Sequence, residues 1–226
     1  LTTGFRALLG GRVEDAEISV ERSRIDTRWA LTILAALVDS APRPQTSAPT
    51  GLTIESIGSI ALNDVTLVAG SREILVDLDS SLAGGDRFLV RRLHGRSDGS
   101  DLVISGELSS IARRTGTFTM EAQTLDLDGL MAFLAAATPA GARGQASPEA
   151  ASAPPAAVVP LQINMAVRAR KGSVLGIAFT GLETTSRMTN SALVLDGLKM
   201  EVFGGRFAGS AGFDGSRRVP PRSTNV

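Results

Sequence analysis

The chain has 226 residues with 23 basic and 23 acidic side chains, so it carries no formal net charge and no global field that would collect nucleic acid or an anionic membrane surface. The absence of cysteine excludes a disulfide framework and any thiolate metal site, and a single histidine, His94, excludes a multi-histidine metal centre. A hydrophobic content of 43% is enough for a sizeable core, in one large domain or two small ones.

The first strand signal is AEISVERSRI, ending at Ile25, and it runs into RIDTRWALTILAALVDSAP. An aspartate followed by apolar residues at spacings of three and four predicts a capped amphipathic helix over 27–38, with Leu31, Leu34, Leu37 and Val38 as its buried stripe. Trp29 beside it reads as a packing residue. A proline-bearing linker over 39–51 follows.

Residues 52 to 108 alternate apolar and polar side chains in short runs, the period of a strand buried on one face. Asn63-Asp64, Gly70-Ser71, Gly84-Gly85 and Asp98-Gly99 are the expected reversals. In EILVDLDSSL, the residues Ile74, Val76 and Leu78 fall on one side, with Glu73, Asp77 and Asp79 mostly on the other. The expectation is an antiparallel meander with one wet face.

GTFTMEAQTL and then TLDLDGLMAFLAAATPA repeat the earlier order of strand, aspartate, helix and linker at an offset of 100, sharing Asp26/Asp126, Leu34/Leu134, Ala35/Ala135 and Ala36/Ala136. This is read as an internal repeat, with a second helix near 128–137 burying Leu130, Phe133 and Leu134. Residues 138–160, rich in alanine and proline, cannot bury enough apolar surface to offset chain entropy and are expected to be disordered. Strands return over 161–214, and the polar tail 215–226 is expected to be unstructured. The fold class is therefore mainly β with short helices (α+β), built as antiparallel meander sheets in a curved groove-like or sandwich-like arrangement. One unit covers 1–137 and a second covers 161–214.

Sites for chemistry are nearly absent from the sequence. His94 sits beside an expected turn with no nucleophile elbow in the chain. The acids of TLDLDGL, Asp126 and Asp128, could suggest paired carboxylates or a cation site, but helix capping explains them more economically. No stretch has the glycine, lysine and hydroxyl order of a phosphate loop. Arg91, Arg92 and Arg96 lack interleaved aromatics, so they read as a solvated strand end rather than a nucleic-acid site. The chain is expected not to be an enzyme and to need no cofactor or metal.

LVLDGLKMEVFGGRFAGSAGFD, residues 193 to 214, carries the most pointed pattern. A turn at Asp196-Gly197 would pair Leu195 with Leu198 and Leu193 with Met200. A turn at Gly204-Gly205 would pair Val202 with Phe207, Met200 with Gly209, and Leu198 with Ala211. One face then carries Leu193, Leu195, Leu198, Met200, Val202, Phe207 and Phe213 over the low positions Gly209 and Ala211. Lys199, Glu201, Arg206 and Ser210 lie opposite, with Phe203 the exception. Covering seven such side chains stabilises by about 10 to 20 kcal/mol, so the face is expected to have a cover, either the protein's own or an apolar ligand.

This last stretch resembles the C-terminal signature of the AsmA family, a D-G-x-L hairpin closing on Gly-Gly with small residues after it, here one residue shorter between its turns. GRVEDAEISVERSRIDTRWAL, IGSIALNDVTLVAG and ISGELSSIARRTGTFTMEAQTLDLDGLMAFL resemble AsmA-like chains as well, so the resemblance covers most of residues 8 to 214. It implies a β-rich groove in the periplasm, held at the bacterial inner membrane by an N-terminal helix. It further implies phospholipid acyl chains as the ligand, transport between inner and outer membrane, a part in outer-membrane biogenesis, and envelope proteins as possible partners. The chain begins at Leu1 and contains no run of roughly 20 apolar residues, so the resemblance makes it a fragment whose anchor lies outside the sequence. The alternative is an envelope interaction domain with a closed core and no lipid.

Overall fold

The computed structural model describes residues 12–13, 15–27, 53–54, 56–84, 86–137, 161–190 and 192–214. The expected helix over 27–38 beyond Thr27, both linkers and the tail lie outside the described residues. Among the described residues thirteen strands and one helix are formed: β1 Arg12–Val13, β2 Ala16–Glu21, β3 Arg24–Asp26, β4 Thr53–Ile54, β5 Ile57–Ala69, β6 Arg72–Ala83, β7 Arg87–Arg96, β8 Asp101–Ser110, β9 Thr115–Asp126, α1 Leu127–Ala137, β10 Gln162–Val174, β11 Ile177–Thr189, β12 Ala192–Val202 and β13 Gly205–Asp214.

Eleven strands make one open curved sheet in the order β13-β12-β11-β10-β9-β8-β7-β6-β5-β2, with β3 continuing β2 along β5, and β1 pairs with β4. This is mainly β, as expected, but it is one mixed sheet, and no sandwich of two sheets forms among the described residues. Segments 57–126 and 162–214 are joined edge to edge through β9 and β10. Two junctions of the eleven-stranded sheet run parallel, β9 with β10 and β5 with β2 and β3, as does the separate pair of β1 with β4. Parallel neighbours need a crossover connection, and both come where the sequence places a helix and a linker. The repeat therefore marks the two points at which the meander is interrupted and re-entered in parallel.

The turns fall as expected at Gly70-Ser71, around Gly84 and at 97–100. Asn63-Asp64 is corrected: it lies inside β5, where Asp64 takes φ 52° and the register with β6 shifts between Leu62 and Val65. The residues that favour a turn here form a β-bulge, because the left-handed conformation they tolerate is the one a bulge uses. Register also shifts between β6 and β7 at Asp79/Ser80, between β7 and β8 at Val90/Leu93, and between β8 and β9 at Asp101/Leu102. Bulges of this kind bend strands and increase twist, which curves the sheet.

Helix α1 crosses one end of the curve. Asp126 is its N-cap, its Oδ1 accepting the Gly129 N–H at 3.1 Å, while Ser100 Oγ accepts the Asp126 N–H at 2.9 Å. Leu127 and Leu130 pack near Leu125 on β9, and Phe133 and Ala137 pack on Ala69, Leu67 and Ile74 of β5 and β6. Strands β5 and β10, both touched by α1, are five spacings apart in the sheet. That is about 24 Å along a flat sheet, against about 16 Å for eleven helical residues, so the sheet curls around the side on which the helix lies. The expected buried stripe needs one correction. Leu134 is 50% exposed, and Ala137 is buried in its place, because the helix leans on β5 through its Phe133 side. No helix among the described residues is long and apolar enough to cross a membrane.

Candidate functional site: a continuous apolar face

Residues directly opposite each other in neighbouring strands share a face, so the register can be followed across the sheet. One row runs Ile57, Leu82, Phe88, Leu108, Gly116, Ile163, Met188, Leu193, Phe213, from β5 to β13. A second runs Ile60, Ser80, Val90, Gly106, Phe118, Met165, Ser186, Leu195, Ala211 through the same strands. A third, Val65, Val76, Gly95, Leu102, Ala122, Ala169, Leu182, is buried at every position. The side chains of these rows are apolar except Ser80 and Ser186, whose hydroxyls donate to the backbone oxygens of Ile60 and Met165 at 3.3 and 3.4 Å. Ile74, Val76 and Leu78 lie on this face, as their alternation implies.

Small residues make the floor low and phenylalanines lie over them. A Cβ at Gly106 would come 2.8 Å from the Phe118 ring, one at Gly172 would come 2.5 Å from the Phe179 ring, and one at Gly209 would come 3.4 Å from the Phe207 ring. These aromatic faces supply the packing that glycine lacks in a strand.

The opposite face is ionic. Arg91 Nη2 lies 2.7 Å from Asp79, Arg96 2.8 Å from Asp77, and Arg187 3.3 Å from Asp196, while Arg87 Nε donates to Glu107 at 3.0 Å. The Asp64 N–H donated at 2.9 Å holds the Asp77 carboxyl below the usual carboxylate range, helped by the Arg96 guanidinium. His94 belongs to this network: its Nε2 is 2.7 Å from Asp101 Oδ1 and its Nδ1 3.9 Å from Asp77. A depression of about 190 Å³ on the same side is lined by Arg168, Glu183 and Lys199 together with Thr185 and Gly197.

In the C-terminal strands the expected pairings are corrected. No reversal forms at Asp196-Gly197: β12 runs through it with Gly197 at φ 61° and a register shift between Leu195 and Leu198. The turn is Phe203-Gly204, with φ 51° and 74°, and it opposes Val202 to Gly205, Met200 to Phe207, Leu198 to Gly209, Leu195 to Ala211, and Leu193 to Phe213. Face membership survives both changes. The turn is displaced so that each partner shifts by two residues, which preserves the side, and the bulge keeps Leu195 and Leu198 on one side just as a two-residue turn would.

Leu198, Met200 and Val202 pack against the cluster around Phe179 and Leu182, whereas Leu193 is 38% and Phe207 45% exposed. Gly209 and Ala211 are exposed, and Phe213 is placed by register alone. Sequence reading found this end of the face and missed its continuation through β7 to β11, where bulges interrupt the alternation. Asp126 and Asp128 both have structural partners, the latter accepting the Gly176 N–H at 3.2 Å. Among the described residues no group of three or more His, Asp or Glu side chains is placed to hold a metal ion.

No family model matches the chain, and no curated protein or solved structure is significantly similar to it.

Proposed function

We propose that the chain is a non-catalytic segment of an AsmA-like cell-envelope protein whose curved sheet holds phospholipid acyl chains on its apolar face. In this reading the whole protein is periplasmic, anchored at the inner membrane, and passes lipid towards the outer membrane as part of outer-membrane biogenesis. The supporting observation is the pair of rows that cross nine strands from β5 to β13 on one side of an open sheet. The described cover on that side is one eleven-residue helix at one end. Each acyl methylene removed from water contributes about 0.8 kcal/mol, and the contact is non-directional, so a chain can slide along the rows while its head group stays hydrated. Such transfer needs no reacting side chain.

A second reading, an interaction domain with its own closed core, draws on α1, which packs Phe133 and Ala137 over Leu67 and Ala69. Native mass spectrometry after mild purification distinguishes the two. Co-purified phospholipid, lost on delipidation and regained from vesicles, supports the groove. A protein that stays lipid-free after incubation with phospholipid vesicles sinks it.

A further inference from the structure

The two edges of the sheet are unlike. The β2–β3 edge is broken at Arg22, which takes φ 44°, and carries the exposed charges Glu17, Glu21 and Arg24, devices that keep an edge from pairing with another chain. β13 has none of them in its interior. It runs ten residues without a break, reads GRFAGSAGFD with no proline or lysine, is exposed from Gly205 to Gly212, and among the described residues has β12 as its one partner strand. Every second residue of an antiparallel strand turns its N–H and C=O away from its partner, so β13 offers a row of peptide groups to a further strand.

The sequence of β13 is complementary to itself when reversed. About Ser210, the Arg206 position faces Asp214, Phe207 faces Phe213, Ala208 faces Gly212, and Gly209 faces Ala211. We propose that β13 is a homodimerisation edge: two copies pair antiparallel about a twofold axis at Ser210, joining their sheets into one. This register keeps the apolar face on one side in both copies, since odd positions oppose odd positions, and it carries the row ending at Phe213 on to Phe207 of the second copy. It opposes an arginine position to an aspartate position at both ends. Arg206 is 90% exposed and its Nε lies 3.5 Å from Glu201, so its guanidinium remains accessible from the free edge. Sliding by two residues loses both charge pairs, and sliding by one sets the apolar face of one copy beside the polar face of the other. A contact of one strand on one strand is at the small end of interface sizes, which makes this dimer an exchanging one. The proposal does not depend on what the apolar face binds.

The chain has no cysteine, which makes single-cysteine cross-linking clean. Opposed strand residues lie within disulfide reach. Under mild oxidation of the full chain, Ser210→Cys should form a covalent dimer at least tenfold faster than Thr185→Cys, an exposed position on β11. Ala208→Cys and Gly212→Cys should cross-link to each other in a mixture much faster than either does alone, and a Cβ at 212 meets nothing within 4 Å. In sedimentation, Arg206→Asp and Asp214→Arg should each be monomeric alone and dimerise when mixed, because the mixture restores both opposed pairs. Equal cross-linking rates at 210 and 185, self-linking at 208 as fast as mixed linking, or a wild-type chain that stays monomeric throughout would each overturn the proposal.

Discussion

Gly172 and Phe179 face each other across β10 and β11, and the phenylalanine ring occupies the space a side chain at 172 would need. A Cβ there would come 2.5 Å from Phe179 Cζ and 2.2 Å from the Leu125 carbonyl oxygen. The carbonyl belongs to the backbone of β9 and cannot turn aside. Gly172→Ala should therefore destabilise by about 1 to 3 kcal/mol, the range for forcing extra atoms into packed surroundings. Gly212→Ala, whose Cβ meets nothing within 4 Å, should be near neutral. Urea denaturation of the two variants reads the difference, and equal midpoints would remove the packing role assigned to Phe179.

Asp126 ties three elements together at the point where the meander ends. It caps α1 through Gly129, receives the Ser173 hydroxyl at 3.4 Å from β10, and leaves no room for a side chain at Gly129, whose Cβ would come 2.3 Å from its Oδ2. Asp126→Ala should cost about 1 to 2 kcal/mol and Asp126→Asn less, since asparagine also caps. The melting temperature of the wild type should not move with added magnesium or calcium. A metal-dependent shift lost in Asp126→Asn would restore the cation site that the TLDLDGL acids suggest.

Acid should loosen the polar face before the apolar one. Asp77 is held below its usual value of 3.8 by the Asp64 N–H and then by Arg96. Asp79 is lowered by Arg91, and Asp86 by the Ala112 N–H. A lowered folded-state value means that these carboxylates contribute stability above about pH 4 and lose it as pH falls through the depressed values. Stability followed by denaturant titration should fall below about pH 4, and Asp77→Asn should flatten that limb while lowering stability at pH 7. An unchanged acid limb in Asp77→Asn would place the acid sensitivity elsewhere.

What was legible in the sequence is the side on which a residue lies, because that depends on parity alone. Ile74, Val76 and Leu78 on β6, and Leu198, Met200 and Val202 on β12, keep their expected face even where the pairing differs. What was illegible is whether a turn-forming pair reverses the chain. Asn63-Asp64 and Asp196-Gly197 satisfy the local chemistry of a turn, yet both sit in strands of eleven or thirteen residues whose neighbours hold them extended, so the left-handed residue is absorbed as a bulge. Phe203 shows the converse, a bulky residue at φ 51° in the actual hairpin turn, where the ladder on both sides dictates the conformation. The parallel pairings were legible in principle: two repeated helix-and-linker segments require two crossovers, and a crossover is what a parallel neighbour needs.

Met200 separates a groove from a closed core. It opposes Phe207 and packs against the cluster of Phe179 and Leu182, near the free edge of the sheet. Lys199 is its neighbour on the other face, exposed and opposite Ala208. If acyl chains lie on the apolar side, a carboxylate at 200 meets hydrocarbon in the loaded protein and water in the empty one, so it opposes loading far more than folding. Met200→Glu should reduce capture of phospholipid from vesicles by at least tenfold and leave the β-sheet circular dichroism and the cooperativity of unfolding unchanged, whereas Lys199→Glu should capture lipid as the wild type does. Cooperative unfolding of Met200→Glu at room temperature would mean that the charge has been placed in a core with no access to water, and the closed interaction domain would then be the better account of the fold.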